Sequence, residues 1–433
     1  MKSIRNFTQA LTLVGACLLV STPIVQAKTP RPAAKSPPPT ERCDGIEFTQ
    51  ALGQYNGAAL GELVSRFNET NKTCPIQITD RTWSDGKLPG MMILSEGDEE
   101  KFLAGPPRYR PLHEVMKTAG QPLVTLRPPT MMTPMPLDAQ GRLRALPVAL
   151  STPILYINQE AFRRVGLNSD QPPQTWFDLQ QALGQLIDNG VRCPYTVAEP
   201  SRVMIENTSA WHNEPTVTRR GKSDGLSING MLQIKHVALM ASWVRSNYLH
   251  IFGRGAEAQQ HFTSGECAVI AASSASLPEI RRTARFPVAV AGLPYHDDYP
   301  GAPQNTLLDG SSLWIAAGRS PAEYKTIAKF VRFWLEPENQ VAWQKQTGFL
   351  PLNRAGIAAA RESELLKDEL DGVRVAIAQV AHKPPTAASS SNLLIAKTSV
   401  REIVEEELEA VWADRKPAKE ALDTAVTRAS ALP

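Results

Sequence analysis

Four cysteines follow the N-terminal leader-like region, and each stands directly before a short apolar run. Cys43 precedes Ile46–Ala51, Cys74 precedes Pro75–Thr79, Cys193 precedes Pro194–Val197 and Cys267 precedes Ala268–Ala272. Four cysteines admit three pairings. Two pairs fit best, Cys43 with Cys74 and Cys193 with Cys267, because residues at the same end of neighbouring parallel strands come within bridging distance. Free buried thiols are the alternative. Strands that run side by side in one direction need crossover connections, which are usually helices. The cysteine positions therefore already favour an α/β chain in an oxidising compartment.

The hydrophobic pattern supplies those crossovers. Leu60, Leu63, Val64 and Phe67 recur at helical spacing and predict a helix over Gly57–Asn68. Strand candidates follow at Ile76–Thr79 and Leu88–Ser95, so the first stretch reads strand, helix, strand, strand in a mostly parallel sheet. Pro128–Ala149 reads as a loop and a hairpin turning at Asp138–Gly141. The run "STPILYINQEAF", Ser151–Phe162, is a buried strand whose Asn158 caps the next helix. Thr175 with Asp178, and Ser320 with Glu323 behind Pro321, are capping signatures that open two more helices. Helices near Ser399–Ala413 and Pro417–Ser430 end the pattern. Such alternation predicts α/β lobes around a cleft, with ligands held outside the carboxyl ends of the strands.

Export is expected. Lys2 and Arg5 precede an apolar segment from Ala10 to Val20, and Val25-Gln26-Ala27 places small residues at a cleavage point after Ala27. Lipidation of Cys17 is the alternative. Lys28–Arg42, "KTPRPAAKSPPPTER", reads as an extended tether. No later apolar run reaches the length of about 18 residues that a membrane helix needs. A net charge of +3 without basic blocks gives no reason to expect nucleic acid as a partner. No GxSxG, GxxxxGK[ST], HExxH or GxGxxG motif appears, so neither catalysis nor a cofactor is expected. The histidines are scattered, and His236 lies in an apolar helical run where packing outweighs metal ligation.

Strand ends supply the candidate site. Glu96 follows the run Leu88–Ser95; Ser273 ends Ala268–Ala272; Gly310 precedes Leu313–Ala317; Ser151 introduces the strand described above. Glycine and small hydroxyl residues at such points let backbone N–H groups approach an anion or a polyol. Taken singly, each is also ordinary turn and cap chemistry.

From Ser151 onward the motifs come in an order that resembles a known family. They include "STPILYINQEAFRRVGL", "QPPQTWFDL", "ENTSAW", "FTSGECAVIAASSASLPEIR", "APQNTLLDGSSLWIA", "AKFVRFWLEPENQVAWQKQTGFLPL" and "VREIVEEELEAVW". The chain is similar to the family 1 extracellular solute-binding proteins, and within them to members that bind sn-glycerol 3-phosphate for an ABC importer. The resemblance implies a type II periplasmic-binding fold, with two α/β lobes joined by crossover strands. It implies no catalysis, no cofactor and a monomer that delivers solute to permease subunits in the inner membrane. By motif, Glu96, Ser151, Ser273, Gly310 and Arg401 are expected ligand residues. Arg401 read alone would pair with Glu405.

Three departures from the family pattern matter. Glu199 and Arg202 stand where the family has two tryptophans. Phe349 keeps a tyrosine's ring without its hydroxyl. Trp83 lies near a second lost tyrosine, and the chain after it is shorter than in the family, which would remove a helix and leave that side open. Phe349, Trp83 and Arg202 are therefore counted among the site residues. The expected division is 1–27 leader, 28–42 tether, 43–150 with 294–320 as first lobe, and 151–293 with 321–433 as second lobe. The competing expectation is a degenerate binding fold reused as an envelope interaction or sensory module.

Overall fold

The computed structural model describes residues 43–432, apart from 85, 122, 124–135, 139, 221–222, 364–369 and 389–396. The expected leader, its cleavage point, Cys17 and the tether lie outside the described residues. Twelve strands are present among them. They are β1 (Ile46–Gln50), β2 (Ile76–Ile78), β3 (Met91–Ile93), β4 (Leu146–Pro147), β5 (Pro153–Asn158) and β6 (Cys193–Val197). The rest are β7 (Val217–Arg220), β8 (Ser223–Leu226), β9 (Leu249–His250), β10 (Cys267–Ser273), β11 (Val288–Ala291) and β12 (Ser312–Ile315). One sheet has the order β2-β1-β3-β12-β4, a second β11-β5-β10-β6-β9, and β7-β8 is a separate hairpin.

The first sheet is less uniform than the sequence suggests. β1 runs parallel to β2 and β3, but β12 is antiparallel to both β3 and β4. β12 joins from far along the chain and enters from the other end. In the second sheet β6, β9 and β10 are mutually parallel, while β5 and β11 run against β10 and β5. Cys43 is bridged to Cys74 and Cys193 to Cys267. The second bridge joins residues paired directly in the β6–β10 register.

Local signals place the helices. The stripe Leu60, Leu63, Val64 and Phe67 is buried on Gly53–Thr70, against β1. Both capping boxes are formed, at Thr175 for Trp176–Asp188 and at Ser320 for Pro321–Trp334. Asn158 caps its helix through Oδ1, which accepts from the N–H groups of Glu160 and Ala161 at 3.0 Å each. The Asp138–Gly141 turn closes with a 2.9 Å backbone bond.

One boundary needs correcting. The helices Pro321–Trp334 and Pro337–Thr347, expected in the second lobe, pack on the first sheet. Phe330 meets Phe48 at 6.0 Å and Phe67 at 5.2 Å, and Trp343 Nε1 donates to the Val148 carbonyl at 3.1 Å. The reason is direction: β12 enters the first sheet from the crossing, where Ser312 lies beside Pro147, and leaves it at Ile315 on the far side, so the helix that follows starts against the same sheet. The later helix Leu370–Val380 does reach it, where Gln379 Nε2 donates to the Pro153 carbonyl.

No helix occurs among the described residues between β2 and β3, as the shortened sequence implied. That side is nonetheless covered. Trp83 packs edge-on against Phe102 at 5.7 Å, and the Arg108 guanidinium lies 5.0 Å from its ring centre.

The two sheets are linked where the chain crosses between them. Ser151 and Asp309 exchange two backbone bonds of 3.0 Å, and the Thr152 and Thr306 hydroxyls meet at 2.9 Å. Two extended segments paired this way form a narrow connection about which two lobes can turn.

Candidate ligand cleft

A cavity of about 520 Å³ opens where the strands end. Ala51 follows β1, Ser95 and Gly97 follow β3, Glu199 and Arg202 follow β6, and Arg254 follows β9. Gly310 and Ser311 lead into the antiparallel β12, so they reach the same end. The helix Thr398–Trp412 completes the lining with Thr398, Arg401, Glu402 and Glu405. This is the strand-end position expected of an α/β ligand site.

The backbone is unusual where it aims side chains into the cavity. Glu199 has a left-handed φ of 52°, and residues Arg202–Asn207 form a π-helix. A non-glycine residue at positive φ costs roughly 1 kcal/mol or more, and π-turns recur at functional positions. Here they bring two charged residues to bear. The Arg202 guanidinium contacts the Asp309 carboxylate directly, and its Nε lies 3.7 Å from Glu199 Oε1. Glu206, nearly buried, holds Arg401 at 3.2 Å. Arg254 and Glu409 form a parallel pair of bonds at 2.6 and 2.7 Å. Glu405 accepts from the Ser201 N–H at 2.9 Å; burial pushes its carboxyl above the usual range, and the Ser201 bond pulls the other way.

The structure brings some of the expected residues together. Gly310, Arg202 and Arg401 line the one cavity. Ser151 is one step removed, because its Oγ donates to Asp309 Oδ1 at 3.0 Å and Asp309 holds Arg202. Glu96 opens the helix Glu96–Leu103 between the lining residues Ser95 and Gly97, but its side chain lies outside the described residues. Ser273 caps a short turn by accepting from Ala275 N at 3.2 Å. Phe349 is buried and stacked on Trp343 at 6.0 Å, and Trp83 sits in the Phe102 cluster. None of these last three is among the residues lining the cavity. The alternative partner of Arg401, Glu405, accepts from the Ser201 N–H, and Arg401 pairs with Glu206.

Sequence reasoning missed Arg254, Thr398, Glu402, Asp309 and Glu206 as parts of the site. Two signals were present: Arg254 lies between glycines just after an apolar run, and Glu402 and Glu405 share a helix with Arg401. Asp309 and Glu206 carry no local signal.

Gly310 shows how tightly the crossing is built. Its φ is 146°, and a Cβ there would lie 1.8 Å from the Ala149 carbonyl oxygen. Gly310→Ala is expected to lower folding stability by about 2 kcal/mol. Urea denaturation checks this; a wild-type midpoint would mean that the crossing segments separate freely.

His236 is a packing residue, but not an isolated one. Its Nδ1 meets His296 Nε2 at 3.2 Å, and the His296 N–H donates to His212 Nε2 at 2.8 Å. No grouping of metal-ligating side chains suited to a metal ion occurs among the described residues.

Residues 84–367 match the model of the family described as bacterial extracellular solute-binding protein. The sn-glycerol-3-phosphate-binding periplasmic protein UgpB of Pectobacterium atrosepticum is 36% identical over 404 residues, covering 89% of this chain and 90% of that protein. Its Yersinia enterocolitica counterpart is 33% identical, with 89% and 92% covered. Among solved structures, UgpB from Mycobacterium tuberculosis in complex with glycerophosphocholine aligns with a TM-score of 0.70 at 22% identity, covering 89% of this chain and 97% of that one. Maltose-bound MalE3 of T. maritima aligns with a TM-score of 0.69 at 16% identity, covering 89% and 99%. The structural likenesses establish the two-lobed α/β fold of periplasmic binding proteins, and at these identities nothing finer.

Proposed function

The chain belongs to the bacterial extracellular solute-binding proteins, the binding components of ABC importers, and from that premise we propose that its cleft holds a small polar solute bearing a phosphate. sn-Glycerol 3-phosphate or a glycerophosphodiester is the proposed class. The observation that carries the reading is Arg401, placed in one cavity with Gly310 and Ser311. A guanidinium offers paired N–H donors to a phosphate and keeps its charge at any neutral pH. Gly310, packed against the Ala149 carbonyl, holds the crossing segment at the cavity edge. The relatives named for sn-glycerol 3-phosphate point the same way.

In this reading the protein captures its solute without chemistry. The solute fills the cavity, the lobes turn about the Ser151–Asp309 crossing, and permease subunits in the inner membrane receive the closed form. The protein acts as a monomer in the periplasm, with its leader removed after Ala27. Of the expected ligand residues, Glu96 stays in the proposal through its place at the cavity edge, and Ser151 through Asp309. Ser273, Phe349 and Trp83 are assigned to the frame.

Isothermal titration and thermal shift with sn-glycerol 3-phosphate, glycerophosphocholine and maltose test the reading. The phosphate esters should release or absorb heat and raise the melting temperature, because a ligand of the folded state stabilises it. Maltose should do neither. No response to any phosphate ester would end this reading.

A further inference from the structure

The two lobes meet at a second place besides the crossing. The helix Glu96–Leu103 follows β3 in the first sheet, and its Phe102 packs on Trp314 of β12 at 5.9 Å. The helix Thr398–Trp412 packs on the second lobe, where Val400, Val404 and Leu408 are buried with Val237 and Ala241 of the helix Met231–Arg245. Between them, the Thr398 N–H donates to Glu100 Oε2 at 3.0 Å. Gly97 lets the helices come this close, because a Cβ there would lie 3.1 Å from Thr398 Oγ1.

The bond fills a gap at the start of the second helix. The first four N–H groups of a helix have no partner within it, and the side chain just before the start usually supplies one. Lys397 holds that position and makes no such bond, and the first turn carries no acidic residue. The positive end of this helix is met instead by a carboxylate of the other lobe. For its own helix Glu100 does the reverse. It lies in the C-terminal half of Glu96–Leu103, where a negative charge opposes the macrodipole.

Both meeting places border the cavity. Gly310 and Ser311 line it beside the crossing, and Gly97 and Thr398 line it beside the Glu100 bond. Arg401 follows within the first turn, its backbone N–H bonded to the Lys397 carbonyl at 3.0 Å. The partners of the Glu100 bond sit on different lobes, so the bond breaks whenever the lobes part. We propose that Glu100 is a positioning residue for solute capture: it latches the closed cleft by capping the other lobe's helix, steadies the turn that carries Arg401, and slows release of the solute.

The inference rests on the phosphate-binding reading above where it concerns the solute, and its test separates the two. In the full chain without solute, hydrogen exchange is followed by mass spectrometry. Glu100→Ala should speed exchange over residues 397–401 about tenfold and leave the helix Glu96–Leu103 as in wild type. Stopped-flow fluorescence with sn-glycerol 3-phosphate and glycerophosphocholine then reads capture. The dissociation rate should rise about tenfold in Glu100→Ala, and about threefold in Glu100→Gln, which keeps an acceptor without the charge. The association rate should stay within about twofold. The urea midpoint should not fall, because alanine suits the helix Glu96–Leu103 at least as well as glutamate. An unchanged dissociation rate, or one raised together with a lower urea midpoint, would overturn the inference while the phosphate reading stands. Unchanged exchange at the helix start would overturn it in any case. If neither solute binds, the phosphate reading falls and the exchange result alone decides for or against the latch.

Discussion

Arg401→Ala should lower the affinity for the phosphate-bearing solute by about 100- to 1000-fold, roughly 3–4 kcal/mol. Two losses combine. The phosphate loses its paired donors, and Glu206 keeps a charge in a nearly buried position with its nearest cation gone. The second loss acts on folding as well, so the variant should also melt earlier. Adding Glu206→Gln separates the effects: the double variant should recover stability and not affinity. Arg401→Lys should fall between, since it keeps the charge and loses the fork. Titration calorimetry reads the affinities. An Arg401→Ala protein that binds like wild type would mean that the arginine serves only Glu206.

That prediction also marks where the sequence stops being legible. Features fixed by a few adjacent residues could be read from it: the capping boxes at Thr175 and Ser320, the cap at Asn158 and the buried stripe from Leu60 to Phe67. The cysteine pairs were legible because strand ends in a parallel sheet lie side by side. Arg401 was recognisable by motif, yet its partner was not. Glu405 is the near neighbour along the helix, while Glu206 is 195 residues away and arrives only because a π-helix turns it inward. A π-helix depends on a slipped hydrogen-bond register, which no hydrophobic period records. The helix Pro321–Trp334 shows the same limit in packing. Its apolar face was plain, but which sheet it covers depends on where β12 ends. Trp83 shows it again: its packing against Phe102, in the stretch where no helix stands between β2 and β3, has no local signal.

The three clustered histidines should make the protein sharply acid-sensitive, at a pH where carboxylates are still mostly ionised. His212 Nδ1 bonds to the Thr208 carbonyl at 2.6 Å, so it must carry a proton there, and Nε2 accepts from the His296 N–H. The ring has no place for a second proton. His296 and His236 share one hydrogen bond between ring nitrogens, which needs a donor and an acceptor. Burial therefore pushes His212 and His296 down to about 4, and His236 well below its ordinary value. His212 also opposes protonation of His296, and both oppose that of His236; Lys235 acts in the same direction on His212 and His296, and Asp298 acts against it. Above pH 6.5 the rings are neutral whether the chain is folded or not, and they do not affect the balance. As pH falls below 6.5 the unfolded chain takes up protons that the folded one refuses, so stability drops until about pH 4. The loss approaches about 3 kcal/mol for each of His212 and His296, against a total stability of roughly 5–15 kcal/mol. Glu214, whose carboxyl burial pushes up beside Tyr299, works in the opposite sense nearer pH 4.5. Urea midpoints should therefore fall steadily from pH 7 to pH 5, and His212→Gln should make that slope shallower by about one proton. A midpoint that stays level from pH 7 to pH 5 would show that the cluster opens to water and takes up protons without unfolding.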